Sequence, residues 1–546
     1  MDLKIKSKDF WLELKISTVS KVKAKNFRKI KRDNYEVYLT GYALGKNMEL
    51  LPDIIFAQLV SSSVASIQEM NGSFCGVLIT IDSVTVFSDR ATDCKVYFSL
   101  QNRNIYISSN PDNIATKAPN SFDVDFTAWA EILKKGHLSQ NRTMYKGIFS
   151  LSVGKVAVIK RRSESECFEW YDYDTVFGKG IIDDRPLSII AQDIFSRLEE
   201  CISNSHHFHQ KKIAATLSAG LDSRLLVGIA NNLGISIPLI TIDTCLQVDE
   251  YELMKPLLMY LNLDCRNYLW FEGYLEAYAE KYWSEAGFHT NMHAWFAPAV
   301  QDRLHKKRWY MAGWGGDNLL RFQHIDERLA QPPALFKENE IIDILSTGSS
   351  PNMLFTTEFS RWVNEKYREC VEQSISPFLE SPRGMKDWVL QTRFFNDVLL
   401  ITTMYRKEFS SFSPFLCSNV LDLLLTLDTQ HLGDDIYKAL FSCFDSNLLS
   451  LPSTRSRLSD DFKRREFNNE PVLDWAYGKL QEGSLLTHAY LDKKKLVAYF
   501  ETLKSSNRGI TPLLRATLAL NFWFEQFNGM RKNISVKNSI FTHSSD

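Results

Sequence analysis

Two short stretches of the chain carry the residue types of phosphate chemistry. The first is "TLSAGLDSRLL", where a strand-like run (KKIAATLS) gives way to a helical one after Leu217-Ser218-Ala219-Gly220-Leu221-Asp222-Ser223. A strand feeding a glycine-containing turn that opens a helix is an anion site, because unpaired backbone N–H groups and the positive helix end point at the ligand. Gly220 allows close approach of the backbone, and Ser218 and Ser223 add hydroxyl donors. Asp222 could hold a Mg²⁺ that bridges phosphates. No G-x-x-x-x-G-K-[ST] is present, which excludes the loop of a γ-phosphate-transferring ATPase. The bland alternative is a serine-capped strand-to-helix turn.

The second stretch is "YMAGWGGDNLL" (310–320), a strand that ends in Gly313, Gly315 and Gly316 before Asp317. In open α/β sheets, ligands bind outside the carboxyl ends of the strands. Two such ends, each with glycine and one aspartate, could hold Mg²⁺–pyrophosphate from both sides through Asp222 and Asp317. Either stretch alone is a weak signal; the pair in this order is a strong one.

The first turn resembles the S-G-G-x-D-S pyrophosphate loop of N-type ATP pyrophosphatases, with Ala219 in place of one glycine. "AGWGGDN" resembles the G-x-G-[AG]-D-E segment of the asparagine synthetase family, which includes β-lactam synthetases and lasso-peptide macrolactam cyclases. "FSPFLCSNVLDLLLTLD" (412–428) is similar to that family's R-x-P-F-L-D segment. "MNGSFCGVLITID…FSDRATDCKVYFS" resembles its glutaminase-derived domain. The likeness covers most of residues 34–460.

The resemblance implies cleavage of ATP to AMP and pyrophosphate. A substrate carboxylate attacks the α-phosphate, and an amine then displaces AMP to give an amide. It implies ATP and Mg²⁺ as cofactors, with Leu217, Ser218, Ala219, Gly220, Leu221, Asp222 and Ser223 cradling phosphate beside Gly313, Gly315 and Gly316. Asp222 and Asp317 would hold the metal, and the backbone around Thr241 and Asp243 would flank adenine. The family also carries a late lysine that stabilises the adenylate. Arg457 or Arg455 in "LPSTRSRLSDDFKRR" aligns best with it, with Lys463 close by, although a solvated basic loop reads equally well.

The departures from the family matter as much. Glutamine-using members carry a cysteine at position 2, where this chain has Asp2, and the Lys-rich residues 1–33 precede the first family-like strand. "LTGYALGKN" stands where N-G-E is expected. Without a thiolate or N-terminal amine base that hydrolysis cannot run, so the N-terminal region reads as a glutaminase relic and the amine as free ammonia or the substrate's own. The tyrosine–glutamate dyad of β-lactam synthetases falls on Trp314 and Ser410. Tryptophan is no base, which leaves Glu408 or Tyr405 to substitute. Asn318 replaces the acidic residue after Asp317. Trp314 either stacks on a substrate or packs. Ala219 is expected at negative φ, with Gly220 free to take a positive one.

The expected activity is that of an ATP-dependent amide-forming ligase of the natural-product or macrolactam kind, acting on a small molecule or peptide that bears a carboxylate, with an amine acceptor. An asparagine synthetase using free ammonia, a tRNA-modifying pyrophosphatase and a catalytically dead nucleotide-binding member are the competing readings.

The elements that must position these residues divide in two. Residues 34–110 are rich in short β-branched and aromatic runs, "FDVDFTAWAEILKKG" has helical spacing, and "GIFSLSVGKVAVIKRR" (147–162) reads as a hairpin around Gly154. A mixed Gly/Asp/Pro stretch at 171–186 marks a boundary. Strands and helices then alternate, which argues a doubly wound parallel sheet, and from about 335 the pattern is mostly helical. The expected fold is α/β: a degenerate glutaminase-like (Ntn-type) sandwich over 1–180 and a synthetase domain over 181–546. A chain of 546 residues with 64 Lys+Arg against 65 Asp+Glu shows no basic excess, so no nucleic-acid or membrane-surface partner is expected. Nine cysteines without a C-x-x-C pair argue against zinc or a disulfide framework. Lacking a signal-like start or a run of roughly 20 apolar residues, the chain reads as cytoplasmic, and a homodimer is left open. "HHFH" (206–209) reads as an exposed turn, and His289 and His293 as a pair that could share a helix face.

Overall fold

The structure is a computed structural model that describes residues 2–6, 11–15, 27–32, 34–45, 51–80, 83–91, 94–101, 104–117, 122–139, 141–160, 181–208, 213–243, 250–269, 273–291, 309–321, 337–379, 383–405, 410–453, 469–506 and 508–530. It is a mixed α/β protein with antiparallel pairings in its first part, one parallel sheet, and helices.

The parallel sheet has the order Cys265–Leu269, Leu239–Asp243, Ile213–Thr216, Trp309–Met311, Ser410–Phe412. Chain order therefore reverses at Ile213–Thr216. The next strand lies on one side of it, and the chain later returns to the other. Such a switch point opens a crevice at the carboxyl ends of the two adjacent strands. Ala215 pairs with Met311, so both glycine-containing loops leave the sheet at the same level. Both edge strands, Cys265–Leu269 and Ser410–Phe412, escape sequence reading. Each is short and carries polar residues, which an edge tolerates because one side is unpaired.

The first part of the chain forms two five-stranded sheets. One is antiparallel throughout, in the order Ala157–Lys160, Ser83–Ser88, Asn71–Thr80, Tyr35–Leu44, Phe27–Arg32. The other runs Asp2–Lys6, Trp11–Lys15, Asn104–Ser108, Tyr97–Gln101, Phe149–Ser150, with its second and third strands parallel. Strand period decides the packing. Tyr38, Val77 and Val86 meet Phe98 and Ile107 of the other sheet, whereas Val37 and Leu39 point the other way onto Phe56, Ala57 and Val60 of the helix Asp53–Ser62. The stretch 147–162 is not the hairpin its pattern indicates. Phe149–Ser150 pairs in one sheet and Ala157–Lys160 in the other, so the chain crosses between sheets through Gly154 at φ 66°.

The helix Phe126–Lys135 starts at Asp125, whose carboxylate accepts from the Thr127 and Ala128 amides, and stops at Gly136 in the left-handed region (φ 83°). It buries Trp129 against Phe359, Trp523 and Phe524 of the later helices Thr357–Leu379 and Pro512–Met530. One apolar core thus takes residues from both sides of position 180. Among the described residues, no helix is long and apolar enough to cross a membrane.

Candidate nucleotide site

The first loop leaves Ile213–Thr216 and opens the helix Leu221–Asn232. Its two serines hold one another. The Ser218 and Ser223 hydroxyls lie 3.0 Å apart, the Ser218 amide donates to Ser223 Oγ at 3.0 Å, and the Gly220 amide donates to Ser218 Oγ at 3.2 Å. The turn is therefore shaped by its own side chains. Ala219 is fully buried and absent from the positive-φ residues, as expected, but Gly220 sits at φ −74°, ψ 170° rather than at positive φ. The serine bonds close the turn in extended backbone, so the left-handed region is not needed. Leu217 and Leu221 point into the core under the sheet.

Arg224, buried one turn into that helix, clamps the loop from behind. It donates to the Leu448 and Leu451 carbonyls at 2.8 and 2.9 Å, to the Pro452 carbonyl, and to the Ala219 carbonyl at 3.4 Å. Burial lowers its pKa to about 10. The segment ending at Ser453 is thereby held against the first loop. Arg455 and Arg457, like Lys463 and Glu408, lie outside the described residues, as do the side chains of Tyr405, Ser410 and Asp243. Asp243 ends the neighbouring strand, and Thr241 on that strand is buried with no hydrogen-bond partner for its hydroxyl among the described residues.

The second loop leaves Trp309–Met311 and turns through Gly315 at φ 94° into the short helix Gly316–Leu320. Its glycines are explained by the first loop. A Cβ on Gly316 would lie 2.5 Å from Asp222 Cγ, and one on Gly313 would lie 2.8 Å from the Ser223 amide nitrogen. No larger residue lets the two strand ends meet. They meet through a bond: the Asp317 amide donates to Asp222 Oδ2 at 3.0 Å. Asp222 and Asp317 are therefore brought together, and burial, reinforced by Asp317's charge, pushes the Asp222 carboxyl well above its usual range. Burial raises Asp317 as well. Two half-buried carboxylates with raised pKa, one of them raised in part by the other's charge, suit a cation beside them.

Three residues around this pair were not singled out from sequence. The Tyr437 hydroxyl donates to Asp222 Oδ1 from a helix 215 residues away. Arg321, 8% exposed, stacks its guanidinium 4.3 Å over the Tyr437 ring. The buried Lys386 ammonium takes the carbonyls of Asn318 and Arg321 and so fixes the end of the loop. Arg321 carried a local signal, four residues past Asp317; Tyr437 and Lys386 carried none. Asn318, in the place of an acidic residue, donates to Asp317 Oδ1 at 2.9 Å. Trp314 is half-buried, and its carbonyl accepts from Ser413 Oγ at 2.6 Å. Its side borders a cleft shared with Asn71, Asp89 and Arg90 of the first part of the chain.

Among the described residues the histidines join no cluster that could hold a metal ion. His289 lies in the turn after the helix Tyr274–Glu285, not on a helix face shared with His293. It is buried beside the Tyr97 ring, 5.3 Å between centroids. His293 and His209 lie outside the described residues. His206 and His207 belong to the last turn of the helix Leu187–Phe208 rather than to a loop.

No family model matches the chain, and no curated protein matches it. Among solved structures, it is similar to the glutamine phosphoribosylpyrophosphate amidotransferase of B. subtilis complexed with ADP and GMP, at 9% identity and TM-score 0.18. That likeness covers 44% of this chain and 63% of the other, too weak to bear on fold or function.

Proposed function

We propose that the chain is an ATP-dependent amide-forming synthetase that adenylates a substrate carboxylate. The observation that carries this reading is the junction of the two strand ends: Asp222 and Asp317 converge beside a serine–glycine turn, at the switch point of a parallel sheet. The residues fit the implied metal. Two hard carboxylate oxygens, raised in pKa by burial and proximity, suit Mg²⁺. When bound, Mg²⁺ would neutralise charge on the departing pyrophosphate.

The rest is the work of the chain's own groups. The Ser218–Ser223 turn offers fixed N–H and O–H dipoles to the β- and γ-phosphates. The carboxylate oxygen bonds to the α-phosphorus as the bond to the pyrophosphate oxygen breaks. The amine then attacks the acyl carbon, AMP leaves, and the amine's proton passes to a base. Thr241 and Asp243 would flank adenine, and Arg455 or Arg457 would meet the α-phosphate. The first part of the chain is read as a glutaminase-like region without its nucleophile, and the whole as an asparagine-synthetase-like ligase of the natural-product or macrolactam kind. The test is exchange of labelled pyrophosphate into ATP across a panel of amino acids and short peptides. Carboxylate-dependent exchange supports the reading, and exchange that is absent or independent of any carboxylate overturns it.

A further inference from the structure

Among the described residues the Arg321 side chain has neither an ion pair nor a hydrogen bond, only the ring of Tyr437. Its Nε and Nη2 atoms are shut off from solvent and make no hydrogen bond among the described residues. It forms no ion pair with Asp222 or Asp317, although its charge lowers the pKa of both. A buried guanidinium left with open N–H donors is costly, since the lost hydration is not replaced. Were Arg321 only a counter-charge for the aspartates, it would be bonded to one of them. Instead Tyr437 holds it by one face at 4.3 Å, and Lys386 pins its carbonyl. Stacking by a face leaves the N–H edge of the plane free, which is the arrangement that takes phosphate oxygens.

We propose that Arg321 is a phosphate ligand, donating from its free edge to the pyrophosphate portion of the nucleotide held between the two loops. The proposal rests on the nucleotide reading of that site. With Asn318 uncharged beside Asp317, Arg321 makes the second loop less acidic and gives the site a resident cation in addition to the metal.

The test is calorimetric titration of the full chain with inorganic pyrophosphate and with AMP, each in excess Mg²⁺. Parent, Arg321→Gln, Arg321→Ala and Arg321→Lys are compared, with circular dichroism as the check on folding. The expected result is pyrophosphate binding weakened roughly ten- to a hundredfold in the Gln and Ala variants, the loss of charged hydrogen bonds, and less in Lys. AMP binding changes less than about twofold by the same reasoning, and methylguanidinium restores pyrophosphate binding to Arg321→Ala. Equal pyrophosphate affinity in parent and variants, or equal weakening of AMP, overturns the assignment. A parent that binds neither pyrophosphate nor ATP overturns the nucleotide reading itself. Should Arg321→Ala and Arg321→Gln not fold, Arg321→Lys decides, because it keeps the charge and loses the planar fork; unchanged affinity there overturns the proposal.

Discussion

Buried charge is handled in two opposite ways in this molecule. Where the two parts of the chain meet, several buried polar groups are matched. Lys95 Nζ donates to Asn396 Oδ1 at 2.9 Å, and the Asn71 side chain bonds the Gly45 carbonyl and the Ser418 amide. Within the later part, Arg383 pairs with Asp387 at 3.0 Å and donates to the Leu424 carbonyl. At the strand ends the reverse holds. The Asp317 amide bonds the Asp222 carboxylate, the charge of Asp317 raises the Asp222 pKa, and a guanidinium lies nearby with open donors among the described residues. Matched polar groups tie elements together, because each hydrogen bond replaces part of the hydration lost on burial. Unmatched charge is tolerable only where something from outside completes it.

The largest effect that would break the contrast is at the aspartates. Asp222→Asn with Asp317→Asn should weaken Mg²⁺–ATP binding roughly a hundredfold or more while leaving the thermal midpoint unchanged or higher, since the mutual repulsion is gone. A fall in stability with no change in affinity would make the pair structural.

Lys95→Met tests the matched region. Burial lowers the Lys95 pKa to about 8 from 10.5. Between these values the unfolded chain binds the extra proton, so parent stability rises with pH on this account, by up to about 3 kcal/mol. Urea midpoints across pH 8–10 should show that rise in the parent and lack it in Lys95→Met, with Mg²⁺–ATP affinity unaltered.

Gly316→Ala sets a methyl 2.5 Å from Asp222 Cγ. The two loops must part, at about 1–3 kcal/mol of stability and with weaker Mg²⁺–ATP binding in the same titration. Gly220→Ala is the small counterpart. At φ −74° its methyl meets Ser218 Oγ alone, at 3.2 Å, so chemical denaturation should move by less than about 1 kcal/mol, toward greater stability. Lost ATP affinity at unchanged stability would place the ligand against Gly220.

Much of the fold was legible in local pattern. The strands at 35–44, 71–80, 83–88, 97–101 and 104–108 have alternating or β-branched runs, and the helix at 126–135 has both an aspartate cap and a terminal glycine. The apparent hairpin at 147–162 misled because a run of alternating residues records that a strand forms, not which sheet accepts it. His289 misled because i, i+4 spacing carries meaning only inside a helix, and the helix ends at Glu285.

For the candidate site, the sequence alone determined the local parts: a strand, a glycine-containing turn and a helix, twice over, each with one aspartate. Those depend on backbone geometry within a few residues, which residue type controls directly. Only the tertiary structure decided that the two turns touch, across 95 residues, and that Tyr437 reaches Asp222 across 215. Strand order decides that, and strand order follows from which faces bury together rather than from any local signal. It also buries Arg321, one more surface-type residue past a loop by sequence, against the Tyr437 ring, with Nε and Nη2 unbonded among the described residues.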